Sequence, residues 1–352
     1  MKFSSIFRRG LFAMLFFMFF SVQDADACTR VVYCGDSVTA TGRTLDWRTP
    51  IPTSLRVFPR GERHVSFDDP TDRLVWTSRY ATVMAVSYDM GFSEGMNEKG
   101  LAVNVLYLPG AVYSYGPGKE FRKKMSSSVW PQYVLDNFAT VDEAIEVLSQ
   151  DKFYIYAPEM PDGSQATLHM AITDTDGNCA VIEYRDGKLE IATGPQFNVL
   201  TNAPFFTDQL AVRNYWREVG GMHMLPGTNR STDRFARASF YSSLLPKNLS
   251  HRKGLAGVFG VIRNCAVPMG ISLPDNPEIS TTQWFSLCDQ TDKVYYFQLT
   301  ESPAVVWIDL TRLNISEGAP QLAVDLTTDG SQIGNINALM QPVAPFKPVF
   351  HM

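Results

Sequence analysis

Cys28 stands directly after Ala25-Asp26-Ala27, and that junction opens one kind of chemistry. Small residues at both ends of Ala25-x-Ala27 mark a cleavage site for the protease that removes export signals. A cut after Ala27 leaves Cys28 with a free α-amino group beside its thiol. A thiol attacks as thiolate and has an unperturbed pKa near ~8.5, while an α-amine has one of about 7.7–8.0. The amine can take the thiol proton near neutral pH and return it to a leaving amine. Nucleophile and base then sit on one residue. No histidine is required, and His64, His169, His223, His251 and His351 form no H-x-x-x-H pair. Neither a metal nor a cofactor is expected.

Three later stretches carry groups that could serve this nucleophile. In Gly42-Arg43-x-x-Asp46-Trp47, an arginine beside Cys28 favours the thiolate and an aspartate holds the α-ammonium. On a surface the same residues would be an ordinary ion pair. In Thr201-Asn202-Ala203-Pro204, the Asn202 amide can donate to an oxyanion, a role worth about 10²–10³ in rate; a polar turn after a strand is the plain alternative. Ser231 or Thr232 can cap a helix that carries Arg234 in its first turn. A cation there opposes the helix dipole, so Arg234 is kept for another purpose, a salt bridge being one.

Upstream of the cut, Lys2, Arg8 and Arg9 precede the uncharged run Leu11 to Phe20. A basic region, an apolar region and a small-residue site make a secretory signal peptide over residues 1–27. The run falls short of the about 20 apolar residues that a spanning helix needs. Residues 28–352 are read as one domain with no mature membrane span. Two alternatives remain: an uncleaved anchor, and a lipoprotein with its lipid on Cys28. Ala25 and Asp26 suit a lipoprotein box badly and the A-x-A rule well. Cys28, Cys34, Cys179, Cys265 and Cys288 make five, an odd number for an exported chain. That favours one free reactive thiol, with Cys179, Cys265 and Cys288 as buried small hydrophobes. Cys34 is the nucleophile only if the cut falls elsewhere. The net charge of −5 comes with no basic run, which argues against nucleic acid as a partner.

The elements that must position these groups alternate between hairpins and helices. Thr29 to Cys34 reads as a strand, Gly35-Asp36-Ser37 as a turn, and Val38 to Arg43 as its return. Leu101 to Leu108 is another strand. Residues 126–150 read as helical, with a capping box at Thr140 to Glu143. Asp176-Gly177 and Asp186-Gly187 join three more strands. A helical part covers about 230–263, punctuated by Pro246 and Gly254. Trp284–Leu287, Val294–Leu299 and Val305–Leu310 close the chain. Hairpins with segregated helices make an α+β class. Two such sheets face to face, each covered by helices, give a four-layer αββα sandwich.

Taken in order, these motifs resemble the choloylglycine hydrolase family, its exported Gram-negative branch most closely. The resemblance rests on Cys28-Thr29-Arg30, Arg43-x-x-Asp46-Trp47, Asn97-Glu98-Lys99-Gly100-Leu101, Thr201-Asn202-x-Pro204, Leu225-Pro226-Gly227 through Arg234-Phe235, and Arg263-Asn264 through Thr282-Gln283-Trp284. That family holds penicillin V acylases and conjugated bile acid hydrolases, amidases with an N-terminal nucleophile. The resemblance implies Cys28 as nucleophile and base, Asp46 as orienter of the amine, and Arg43 and Arg234 as supports. It implies Asn202 as an oxyanion donor and Tyr107 as a second, acting through its backbone. A tyrosine there leans away from bile salts. Trp47 and Tyr107 are expected as walls of an apolar acyl pocket, and a homotetramer as the assembly. The expected activity is hydrolysis of a linear, non-peptide C–N amide with a hydrophobic acyl group, in the periplasm or outside the cell. Penicillin V-type side chains and N-acyl homoserine lactones lead as substrates, with bile salt conjugates third. The rival from another class is a non-catalytic envelope lipoprotein that binds small acyl ligands.

Overall fold

The computed structural model describes residues 28–113, 122–271, 279–326 and 331–350. The expected signal peptide lies outside the described residues. Cys28–Cys34 and Thr39–Trp47 form the predicted hairpin, in a register that pairs Cys28 with Leu45 and Arg30 with Arg43. β-branched and aromatic residues in Cys28–Cys34 suit a pleated, buried surface, and six of the seven positions are buried. This hairpin lies inside a seven-stranded sheet. Val199–Thr201 flanks it on one side; Thr281–Asp289, Val294–Leu299, Val306–Asp309 and Gly334–Asn335 follow on the other. A register shift between Thr282 and Trp284 marks a bulge where Thr281–Asp289 meets Thr39–Trp47. Bulges re-aim side chains beside sites, and here Thr282 is turned onto Asp46.

The second sheet has nine strands, ordered Lys188–Thr193, Cys179–Arg185, Leu168–Thr173, Ala102–Tyr107, Gly91–Asn97, Thr82–Ser87, Thr53–Phe58, Leu322–Asp325 and Gln341–Pro342. Every pairing in it is antiparallel. Asp186 and Gly187 both take positive φ, the requirement of the hairpin turn the dipeptide predicts.

Among the described residues five α-helices cover the sheets: α1 (Trp130–Asn137), α2 (Val141–Leu148), α3 (Phe206–Val219), α4 (Ser231–Leu244) and α5 (His251–Asn264). α1 and α2 bury Leu135, Ala144 and Leu148 in one core with Val86, Val103 and Ile182 of the nine-stranded sheet. α4 and α5 bury Phe235, Val258 and Ile262 against Val31, Ala40 and Leu287 of the other sheet, and that core continues between the sheets through Leu45, Trp284, Ala85 and Ala171. Each such large side chain contributes about 1.5–3 kcal/mol by leaving water. The architecture is the expected four-layer αββα sandwich.

Local readings meet three corrections. The stretch 126–150 is two short helices after a strand, Lys123–Ser126, because Pro131 opens α1 and the capping residue Thr140 starts α2 anew. The capping box itself forms: Thr140 Oγ1 accepts from the Glu143 N–H at 3.2 Å, and Glu143 Oε2 accepts from Ala139 N–H at 2.8 Å. Gly254 does not interrupt α5; a Cβ there would lie 2.6 Å from Val38 Cγ1, so the glycine lets the helix close on the first hairpin. Neither Ser231 nor Thr232 caps α4, which has Arg230 at that position and no side-chain cap. Ser231 donates instead to Thr201 Oγ1 at 3.0 Å.

Candidate active site

Cys28 begins the first strand, is 3% exposed, and opens on a cavity of about 110 Å³. Arg43, Asp46 and Trp47 lie on the partner strand of its hairpin, Thr39–Trp47. Arg43 Nη2 stands 3.5 Å from Cys28 Sγ. Its Nη1 donates to the Ser93 carbonyl at 2.8 Å and to Glu94 Oε2 at 3.2 Å. Burial presses on the Arg43 charge, but Cys28 and Glu94 more than offset it and hold the pKa above the ordinary arginine value.

Asp46 is fully buried. Its carboxylate accepts from Thr282 Oγ1 at 2.7 Å and Thr44 Oγ1 at 3.3 Å, with Arg234 Nη1 at 4.0 Å. Burial pushes its pKa up to about 6, against the pull of Arg234, Thr282 and Thr44. Arg234, in the first turn of α4, points back into the core. It donates to the Cys28 carbonyl at 2.6 Å, to Thr29 Oγ1 at 2.7 Å and to the Asn229 carbonyl at 2.9 Å. This is the purpose that outweighs its unfavourable place on the helix. Burial lowers the Arg234 pKa, and Asp46 and Cys28 counter that.

Asn202 follows Val199–Thr201, the edge strand beside Cys28. Its Oδ1 accepts from the Cys28 N–H and, at 3.4 Å, from Arg234 Nη2. Its Nδ2 donates to the Tyr107 carbonyl at 2.8 Å. An amide nitrogen carries two hydrogens, so one contact on Tyr107 leaves a second donor on that group. Gln209 holds the turn by donating to the Thr201, Asn202 and Pro204 carbonyls at 2.7–3.2 Å. The five expected partners, Arg43, Asp46, Tyr107, Asn202 and Arg234, thus meet around Cys28.

The cavity walls are mostly apolar and include Leu45, Trp47, Phe92, Tyr107, Met160 and Leu168. Trp47 and Tyr107 meet edge to face with centroids 5.2 Å apart. The Trp47 indole N–H donates to Asp162 Oδ2 at 3.0 Å, and Arg48 Nη2 holds that same oxygen at 3.1 Å. Glu94 and Asp162 are contributors that the sequence did not single out, and Thr282 was named only as part of a motif, with no role. Glu94 had one signal, being the charged residue of an otherwise uncharged strand, Gly91–Asn97. Asp162 had none.

All five cysteines are free, and Cys179, Cys265 and Cys288 are buried as expected. Among the described residues, His251, Asp289 and Asp292 bring three ligand atoms within 4.8 Å of one another. They lie at the far end of Thr281–Asp289 from Thr282, and His251 Nε2 already shares a hydrogen bond with Asp289 Oδ2 at 2.6 Å. No helix among the described residues is long and apolar enough to cross a membrane.

Comparison with known proteins agrees with this geometry. Residues 28–329 match the family model of linear amide C–N hydrolases, choloylglycine hydrolase family. The penicillin V acylase of Pectobacterium atrosepticum is 39% identical over 345 residues, covering 91% of this chain and 92% of that protein. The structure of penicillin V acylase from Agrobacterium tumefaciens superposes with a TM-score of 0.83 at 43% identity, over 92% of this chain and 99% of that one. A bile salt hydrolase/transferase of Clostridium perfringens is 26% identical over 78% of this chain and 89% of its own length. The chain therefore belongs to the choloylglycine hydrolase family of linear amide C–N hydrolases.

Proposed function

We propose that this amidase is exported, is cut after Ala27, and cleaves penicillin V-type amides in the periplasm. The observation that carries the reading is a guanidinium 3.5 Å from the sulfur of Cys28, at the mouth of an apolar cavity. Cys28 Sγ attacks the amide carbon as its α-amine takes the thiol proton. Arg43 supplies positive charge at the sulfur. The oxyanion that forms is met by the Asn202 amide and the Tyr107 backbone N–H. The α-ammonium, oriented by Asp46 and by Asn202 Oδ1, gives its proton to the leaving amine. Water, with the same amine as base, then cleaves the thioester and releases the acid. Arg234 fixes the backbone of Cys28 through the carbonyl contact at 2.6 Å.

The acyl group enters the cavity against the wall that Trp47 and Tyr107 form together. The cavity of about 110 Å³ is of the order of one that takes a single benzene ring, ~150 Å³. A phenoxyacetyl group or an alkyl chain suits it better than the fused rings of a bile acid. The names of the two acylase relatives point the same way. The proposed assembly is a homotetramer, which light scattering of the purified protein tests.

The decisive experiment uses purified mature protein. Intact mass is expected to give an unblocked N-terminus at Cys28. In a hydrolysis panel, penicillin V is expected to show the highest kcat/KM, acyl homoserine lactones the next and glycocholate the lowest. A lipidated or differently placed N-terminus, or no turnover of any of the three, overturns the reading.

A further inference from the structure

A second cavity, of about 470 Å³, opens between α3 and α4 and shares no lining residue with the one at Cys28. Its wall carries Arg213 and Arg217, one helical turn apart on α3, with Trp216, Ser239 and Phe240. Like charges at that spacing repel. Neither arginine forms an ion pair with a carboxylate among the described residues. Arg185, at the end of Cys179–Arg185, shows the contrast, since it pairs with Glu190 and with Asp208 of the same α3. Arg217, in the last turn, complements the helix dipole. Arg213, in mid-helix, has no such reason to be there.

Arg213 makes one hydrogen bond, at 3.4 Å to the Gln196 carbonyl. Its Nε is buried without a partner, and so is Ser239 Oγ on the α4 side. Buried polar atoms are ordinarily satisfied, so two orphans in one cleft call for something that accepts hydrogen bonds. Burial, and then the Arg217 charge, lower the Arg213 pKa, a strain that an anion relieves. Trp216 and Phe240 add apolar wall that a bare inorganic anion would not use. The volume falls in the range of small-molecule sites, about 300–1,000 Å³.

We infer that this cleft binds an amphipathic organic anion, its carboxylate held by Arg213, Arg217 and the Ser239 hydroxyl and its aryl or alkyl body laid on Trp216 and Phe240. A planar guanidinium fork matches a carboxylate in two parallel hydrogen bonds. The site is independent of the reaction at Cys28, and its test does not need that reaction.

Calorimetric titration of the full mature chain carrying Cys28→Ala, with octanoate and with uncharged octanamide, tests it. Octanoate is expected to show a binding step that the Arg213→Gln/Arg217→Gln double variant weakens at least tenfold, and that octanamide lacks. Any step at the Cys28 cavity persists in the double variant and serves as the internal reference. Ser239→Leu, which fills the cleft without touching the arginines, is expected to abolish the same step. Placed in the Cys28-containing protein, it leaves amide hydrolysis at the parental rate. Octanoate isotherms that superimpose for parent and Ser239→Leu, or octanamide binding as tightly as octanoate, overturn the inference.

Discussion

Arg43 is 2% exposed, and a guanidinium so placed needs a counter-charge. Glu94 supplies it, while also accepting from Tyr295 Oη at 2.6 Å and Asn104 Nδ2 at 3.1 Å. Glu94→Gln strands that charge and is expected to cost about 3–5 kcal/mol of stability, read by urea denaturation. Cys28→Ala is expected to leave the melting curve near parental and lower kcat by about 10⁴-fold or more. Cys28→Ser is expected to recover little, since an alkoxide forms far less readily than a thiolate. In the proposed mechanism Asp46 is expected to set the acid limb. Its pKa near 6 makes it an anion at pH 7 and neutral below. The kcat/KM profile, which reports the free enzyme, is therefore expected to fall as pH drops through about 6. A profile flat to pH 5 contradicts the orienting role of Asp46.

Two contacts between elements decide how well that constellation is held. α5 lies against Thr39–Trp47, the strand that carries Arg43 and Asp46. It can do so because a Cβ on Gly42 would stand 2.5 Å from Val258 Cγ1 and 3.2 Å from Ile262 Cγ2. Gly42→Ala forces the helix outward, an overpacking expected to cost about 1–3 kcal/mol and to lower kcat with it. The second contact is the loop around Asp162, which ends on Met160 in the cavity wall and ties down Trp47 and Arg48. Asp162→Ala frees the indole. It is expected to raise KM for an aryl-acyl substrate about tenfold with kcat little changed, the pattern of lost ground-state binding.

Over the whole molecule, charge buried away from the site shapes the response to acid. His64 Nε2 has no hydrogen-bond partner and stands 3.7 Å from both Glu62 and Asp136. Burial pushes its pKa down to about 4 from 6.5. Between those values the unfolded chain takes a proton that the folded chain refuses, so stability is lost as pH falls. The loss approaches about 1.4 kcal/mol per pH unit below 6.5 and about 3 kcal/mol in all. Asp136, its pKa raised by burial and by Glu62, works in the opposite sense. The His64→Gln variant is expected to gain on the parent steadily as pH drops from 6.5 to 4 in denaturation curves.

Backbone preference and chemistry on single residues were legible in the amino-acid order. The first hairpin, the Asp-Gly turns and the capping box at Thr140 all depend on neighbours in the chain, and the local structure they imply is present. The misplacement of Arg234 on α4 was legible as a conflict and the family resemblance implied support of Cys28, but not the contacts to the Cys28 carbonyl and Thr29 Oγ1 across more than two hundred residues. α3 gave no signal, because it buries only Phe206 and Gln209 and so has little apolar stripe to read. Glu94 beneath Arg43, Thr282 on Asp46 and the unanswered arginines of the α3–α4 cleft came from packing alone. Which charges meet across two stacked sheets depends on how those sheets are laid face to face, and chain spacing does not encode that distance.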